Sequence, residues 1–186
     1  METDADGLTL NGMTTKRVLI LLDLQVDFLD PNGRLPIASD QIVPLLRAVG
    51  AAVDHAIAAG NPVINVGNEF RMTIPISNAF RRFAAMKGSH GSEWDPRAPR
   101  GSAGYFPKAS GDAFSNPALG KCLSDLGASQ IAICGVYASQ CVLRTTRGAV
   151  ARGLQVQVVA DAIGDTSGSA RAHAIGRLRE AGAQII

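Results

Sequence analysis

Residues 17–23 read RVLILLD. Five bulky apolar residues stand in a row, and the run stops on an aspartate. A half-exposed strand alternates apolar and polar residues, whereas an unbroken run fits a strand buried on both faces, as in a parallel sheet covered by helices. The chain downstream supports that reading. Asp40 can cap a helix running to about Ala59, with Ile42, Leu45, Val49, Val53 and Ile57 on one face, Pro44 in its first turn and Gly60 at its end. PVINVG (62–67) is a second strand, and residues 117–127 read as a helix. QIAICG (130–135) is a strand, SQCVLRTTRGAVARG (139–153) a helix and LQVQVVAD (154–161) a strand. A helix over 167–182 and a closing strand, QII, follow. Strand and helix alternate, which implies parallel strands with helices on both faces. Residues 70–116 are the least regular part, with one short helix-like piece, ISNAFRRFAAM. Residues 1–15 are polar and without periodicity and read as a loose N-terminal arm; residues 16–186 read as a single domain.

Composition narrows the class. Hydrophobic residues make up 46% of the 186 and charged residues 18%, the balance of a folded globular chain. The formal net charge is +2 with no block of like charge, so neither nucleic acid nor an anionic membrane is implied as a partner. The longest bulky apolar run, Val18–Leu22, is far too short to span a bilayer. The start, METDADG, is acidic and lacks a signal-peptide core, and the three cysteines show no CxxC spacing. These features lead to the expectation of a cytoplasmic protein with free thiols. The three histidines lie far apart, and no GxGxxG or P-loop pattern occurs, so neither metal nor cofactor is expected.

In open α/β sheets, ligands bind beyond the carboxyl ends of the strands. Those positions hold Asp23 after the first run, Asn68 and Glu69 after the second, Tyr137 to Cys141 after QIAICG, and Asp161 after LQVQVVAD. Cys141 stands where a helix begins, and the backbone N–H groups there favour a thiolate and can hold an oxyanion. Position alone leaves a buried apolar thiol equally open. Cys134, mid-strand, and Cys122, in a helix, read as packing. No histidine stands at a strand end, so a Cys–His pair lacks support. Asp23 is placed for proton transfer, although a lone aspartate there also serves as a cap or structural hydrogen-bonding group. Asp27 reads as a second acid or, better, as a carboxylate that orients a loop. Lys108 has apolar flanks in YFPKASGDAF; beside a carboxylate and a thiol it would keep both partly ionised, and alone it would be an ordinary surface lysine.

Taken in order, LILLDLQVDF (19–28), YFPKASGDAFSNPAL (105–119) and IAICGVYASQCVLRTTRGAV (131–150) resemble the isochorismatase-like hydrolase superfamily, in its cysteine-hydrolase branch. VVADAIGDTSGSARAHAIGRL (158–178) is similar to its closing segment. The resemblance implies a single-domain three-layer α/β/α sandwich on a mostly parallel, doubly wound (Rossmann-like) six-stranded sheet. It matches Cys141 to the nucleophile, Asp23 to the general acid/base and Lys108 to the third member of the triad. It also implies a cis peptide at Val136–Tyr137, an oxyanion hole from the Tyr137 and Cys141 N–H groups, and a structural role for His173.

The implied activity is hydrolysis of an amide-type C–N bond in a small carboxamide or ureido compound through a thioester. Vinyl-ether hydrolysis by Asp23 and a non-catalytic binding role are the alternatives. NVGNEFRMTIPIS (65–77) lacks the histidine of the metal cluster found in nicotinamidases of this superfamily, which argues against a metal. Phe28, Asn68, Glu69, Trp94 and Tyr137 are the expected pocket residues. The expected partners are a small-molecule substrate and further copies of the chain in a homo-oligomer.

Overall fold

The apolar run at 17–23 becomes β1 (Lys16–Leu22), and it lies inside the sheet, not at its edge. The computed structural model describes residues 16–73 and 75–186; the arm expected over residues 1–15 lies outside them. Around β1 the elements follow as α1 (Val26–Leu29), α2 (Ser39–Ala58), β2 (Val63–Asn68), α3 (Pro75–Phe80), β3 (Tyr105–Lys108), α4 (Pro117–Asp125), β4 (Ala128–Val136), α5 (Leu143–Val150), β5 (Gln155–Gly164), α6 (Gly168–Glu180) and β6 (Gln184–Ile185). The strands form one six-stranded sheet in the order β3-β2-β1-β4-β5-β6, and every pairing is parallel. The expected fold class is the observed one.

Strand periodicity explains why β1 had to be apolar throughout. Leu19 and Leu21 pack on the α2 side with Leu45, Val49 and Val53. Val18, Ile20 and Leu22 point the other way, to Leu119 and Leu123 of α4, Leu143 of α5 and Leu178 of α6. Each such side chain contributes about 1.5–3 kcal/mol by leaving water. β4 divides likewise, with Ile131 and Ile133 on one face and Ala132, Cys134 and Val136 on the other.

The boundaries correct several expectations. The long helix begins at Ser39, and Asp40 lies in its first turn without serving as a side-chain cap. Pro44 is therefore inside the helix, beyond the first turn, where its missing N–H removes a bond to the Asp40 carbonyl. Ile57 is 65% exposed, and Ala56 takes the buried position in that last turn. Gly60, at φ 69°, ends the helix as expected.

β3 arises inside the stretch that read as irregular. It has four residues, contains Pro107 and exposes most of its length, so it carries no apolar-run signal. A proline is tolerated there because β3 is an edge strand. Asn65 secures its approach: its Nδ2 donates to the carbonyls of Gly101 and Gly104 at 2.8 and 2.9 Å, and its Oδ1 accepts from the Gly101 N–H at 2.9 Å. β5 runs past Asp161 to Gly164, because its register against β4 jumps between Ile133 and Gly135. Asp161 is therefore not a strand-end residue. Its exposed side chain meets Arg171 at 3.3 Å.

The chain turns outward from β1 through β2 to β3, then returns to place β4 on the other side of β1. The carboxyl ends of β1 and β4 thus flank a topological switch point, the place where α/β sheets bind ligands.

Candidate active site

Asp23 follows β1, Asn68 ends β2, Lys108 ends β3 and Cys141 lies just beyond β4. β2 and β3 align so that Asn68 pairs with Lys108. Four segments far apart in sequence therefore deliver their polar ends to one point. Lys108 Nζ is 2.9 Å from Asp23 Oδ2, 2.7 Å from Asn68 Oδ1, 3.1 Å from the Ser110 carbonyl and 3.4 Å from Cys141 Sγ. Asn68 Nδ2 lies 3.9 Å from the same sulfur. The Lys108 and Asp23 side chains are 0% and 1% exposed. A buried ion pair adds little net stability, because desolvating both charges offsets their attraction, so its presence here points to chemistry.

The backbone presses these groups together. Asp23 sits at φ 54°, with its N–H donating to the Val66 carbonyl at 2.8 Å. Its Oδ1 is buried and accepts no hydrogen bond among the described residues, which leaves one carboxylate oxygen for a proton. Gly135 has φ 129°, and a Cβ there would stand 2.0 Å from the Leu22 carbonyl oxygen. Only glycine lets the ends of β1 and β4 approach this closely. Gln25 fixes the end of β2. Its Oε1 accepts from the Asn68 N–H at 2.8 Å, while its Nε2 donates to the Asn68 and Ser92 carbonyls at 2.8 and 2.7 Å.

The Val136–Tyr137 peptide is cis, as the resemblance implied. Ala138–Val142 forms one wide π-type turn before α5, with the Val142 N–H donating to the Tyr137 carbonyl at 3.1 Å. Asp165, directly after β5, holds this turn: its Oδ2 accepts from the Ser139 N–H at 2.7 Å and its Oδ1 from the Thr166 N–H at 2.8 Å. Sequence reading missed Asp165 because it ended β5 three residues early, at Asp161.

Burial pushes the Cys141 thiol up to about 12, the Asp23 carboxylate adds to that rise, and Lys108 opposes it. The resting sulfur is therefore a thiol, not the thiolate that a helix start alone favours. Burial works to lower the Lys108 ammonium, but Asp23 and Cys141 outweigh it and hold the group above its ordinary value.

A cavity of about 440 Å³ opens onto Cys141. Phe28, Leu35, Phe70, Ala84 and Tyr137 give it apolar walls, and Asn68, Arg81, Gln140 and Arg144 bring polar groups to it. The Phe28 and Tyr137 rings meet edge to face with centroids 5.7 Å apart, and the Tyr137 hydroxyl donates to the Leu35 carbonyl. Of the residues expected in a pocket, Phe28, Asn68 and Tyr137 line this cavity.

Glu69 and Trp94 do not. They line a separate groove of about 610 Å³ with Lys87, Arg100 and Tyr105. Glu69 follows Asn68, so strand alternation turns it away from the cavity. Its carboxylate lies 3.9 Å from Lys87, and the Trp94 Nε1 donates to the Pro99 carbonyl at 3.1 Å. Sequence reading also gave no pocket role to Phe70, Arg81, Gln140 or Arg144. Arg144 was open to inference from its place three residues after Cys141 on one helical stretch; Arg81 carried no such signal.

Asp27 orients loops, the better of its two readings: its carboxylate accepts from the N–H groups of Arg34 and Ala85 at 3.1 and 2.8 Å. Cys134 is fully buried in β4, and His173 is exposed on α6. A larger cavity, about 770 Å³, lies beneath α2 and is lined by Leu19, Ala52 and Ile163 among others, but none of the triad residues lines it. Among the described residues, no group of three or more His, Cys, Asp or Glu side chains is placed to hold a metal ion. No helix among them is long and apolar enough to cross a membrane.

Known proteins give this geometry a family. The chain is 28% identical to the streptothricin hydrolase of Streptomyces noursei over 149 residues, which is 78% of this chain and 53% of that protein. It therefore spans about half the length of that relative. An isochorismatase-like hydrolase from Alkaliphilus metalliredigens superposes with a TM-score of 0.83 at 17% identity, covering 92% of this chain and 94% of that one. The N-carbamoylsarcosine amidase of Thermoplasma acidophilum superposes at 0.78 with 22% identity, covering 92% and 95%. At such identities these two likenesses are of fold. The isochorismatase domain model matches residues 17–186, nearly all of the sequence, and the chain belongs to the isochorismatase domain family.

Proposed function

We propose that the protein is a cysteine hydrolase that cleaves an amide-type C–N bond of a small carboxamide or ureido compound. The observation that carries this reading is one buried ammonium, Lys108, in reach of both a carboxylate oxygen at 2.9 Å and a thiol at 3.4 Å. Neither a packing cysteine nor a purely structural ion pair needs that third group.

The reaction follows from the protonation states. With the thiol pushed up to about 12, a free thiolate is scarce near neutral pH, so Asp23 takes the proton as Sγ attacks the carbonyl carbon. A C–S bond forms and the carbonyl electron pair moves to oxygen, where the Tyr137 and Cys141 N–H groups receive it. Lys108 keeps the site's charge balanced while the proton moves. Collapse breaks the C–N bond, and the leaving nitrogen takes its proton from Asp23. Asp23 then deprotonates a water, which attacks the thioester, and Cys141 leaves and is reprotonated. For a primary amide the sum is amide plus water giving carboxylic acid plus ammonia. The two similar proteins, a streptothricin hydrolase and an N-carbamoylsarcosine amidase, agree with hydrolysis, the second with an amide-type bond.

Ammonia release across a panel of carboxamides and ureido compounds, with Cys141→Ala as control, tests the reading. Activity is expected only with Cys141, and peptide mapping after acid quench is expected to find an acyl adduct on the Cys141 peptide. Ammonia release surviving in Cys141→Ala would overturn the covalent mechanism, and cleavage of a vinyl ether by that variant, with no amide turned over by the wild type, would favour the ether-hydrolase alternative, which needs Asp23 alone.

We also read the protein as a homo-oligomer. Met72, Ile76 and Phe80 are 65%, 74% and 86% exposed, with Ile76 and Phe80 four residues apart on α3, apolar surface that a second copy would cover. Light scattering at tens of micromolar that returns the monomer mass would remove this reading.

A further inference from the structure

We propose that the substrate carries a carboxylate close to its scissile bond, and that Arg144 and Arg81 bind this group. The ligand class is then a small amidic or ureido acid, a narrower class than amides at large. The inference rests on the reading of Cys141 as the nucleophile that opens the C–N bond.

Charge in the cavity is the first ground. The lining includes two arginines and no aspartate or glutamate. Beneath it, Lys108 and Asp23 cancel each other. Among the described residues neither Arg81 nor Arg144 pairs with a carboxylate. Arg81 is half-buried and Arg144 reaches solvent, so the cavity mouth carries two positive charges without a counter-charge, a potential that attracts an anion.

The posture of the two arginines is the second ground. Arg81 lies flat on Phe70, its guanidinium carbon 3.9 Å from the ring centroid. One terminal nitrogen donates to the neutral Asn78 Oδ1 at 3.0 Å, and its Nε is buried with no acceptor among the described residues. Burial lowers this guanidinium from its ordinary value, as expected of a cation short of counter-charge, with Cys141 working in the other direction. Arg144 lies three residues past Cys141 and packs its stem on the loop after Lys108. A Cβ on Gly111 would come 2.6 Å from Arg144 Cδ. The missing side chain at Gly111 lets the arginine lie across that loop, toward the cavity it shares with the nucleophile. A planar carboxylate matches the guanidinium fork in a way that a neutral amide does not.

The test uses matched pairs: ureidoacetate and succinamate, each against its neutral amide, ureidoacetamide and succinamide. Binding to Cys141→Ala is read by calorimetry, and kcat/KM by ammonia release from the wild type and Arg144→Gln. The acids are expected to bind about tenfold or more tightly than their neutral partners, the size of effect a charge-assisted pair gives. Arg144→Gln is expected to erase that acid-over-neutral ratio, with Arg144→Lys restoring part of it. Arg81→Gln supplies a second variant for the same ratio, provided its unfolding midpoint matches the wild type. Acids that bind Cys141→Ala through Arg144 but release no ammonia from the wild type leave the carboxylate site standing and remove the hydrolase reading. Neutral amides turned over through Cys141 with no preference for acids do the opposite. An unchanged ratio in Arg144→Gln, or no binding by either acid, overturns the inference.

Discussion

Cys134 and Cys141 lie seven residues apart, and burial pushes both thiols up to about 12. Exposure barely separates them, at 0% and 8%. Their neighbours do. Cys134 sits within β4 opposite Leu21 and packs in the apolar layer under α2, where burial alone shifts it. Cys141 stands past the end of the same strand, with an ammonium at 3.4 Å and Asn68 at 3.9 Å. A raised thiol is therefore no mark of a bystander. On the proposed reading, what separates Cys141 is a carboxylate able to take its proton and a cation that keeps the charge balanced when it moves.

The sharpest way to break this contrast is to remove each sulfur. Cys141→Ala is expected to lower kcat by about 10⁴-fold or more, as loss of a covalent nucleophile does. Cys134→Ala is expected to leave kcat within about threefold and to cost on the order of 1 kcal/mol in chemical denaturation, through a small cavity. Equal kinetic damage from both would dissolve the distinction.

Asp23→Asn sharpens it further, because it keeps the shape and removes the proton acceptor. A fall in kcat of about 10²–10⁴-fold is expected from steady-state kinetics. A loss below tenfold would mean that another base takes the Cys141 proton.

Gly135 divides the two environments. Gly135→Ala sets a Cβ 2.0 Å from the Leu22 carbonyl, so β1 and β4 must separate where Asp23 meets Cys141. A loss of about 2–4 kcal/mol is expected from denaturant midpoints. An unshifted midpoint would show that the strand ends can part freely.

The smallest effect is in thiol reactivity. A thiol whose pKa is raised keeps its proton to higher pH, so less thiolate exists at any given pH below it. Iodoacetamide labelling of Cys141, followed by peptide mapping, is expected to climb about tenfold per unit from pH 7 to 9 without a plateau. A plateau near neutral pH would mean that Lys108 stabilises the thiolate of the free enzyme.

The elements differ in how plainly the sequence announced them. β1 was legible because all five of its central residues had to be apolar to serve two layers. β3 was not, because an edge strand of four residues containing a proline carries no hydrophobic signature. Asp23 and Cys141 were legible as strand-end groups, and Lys108 acquired meaning only through the ordered motifs. Asp165 was missed when the end of β5 was set at Asp161, since a register jump against β4 leaves no trace in composition. Glu69 was expected in the pocket from its place just after a strand and Trp94 as the one tryptophan, in a loop; side-chain alternation and loop path send them to the neighbouring groove.

The sequence by itself determined the class of fold, the candidate nucleophile and the family, because burial on two faces and motif order are properties of a linear string. Only the tertiary structure decided that Lys108 touches both Asp23 and Cys141, that burial pushes the Cys141 thiol up, and that Arg81 joins Arg144 over the same cavity. Those facts depend on parallel register and on loops that fold back across the sheet. Coulomb energy and desolvation act on distances in space, and residues 23, 81, 108 and 141 become neighbours only once the chain has folded.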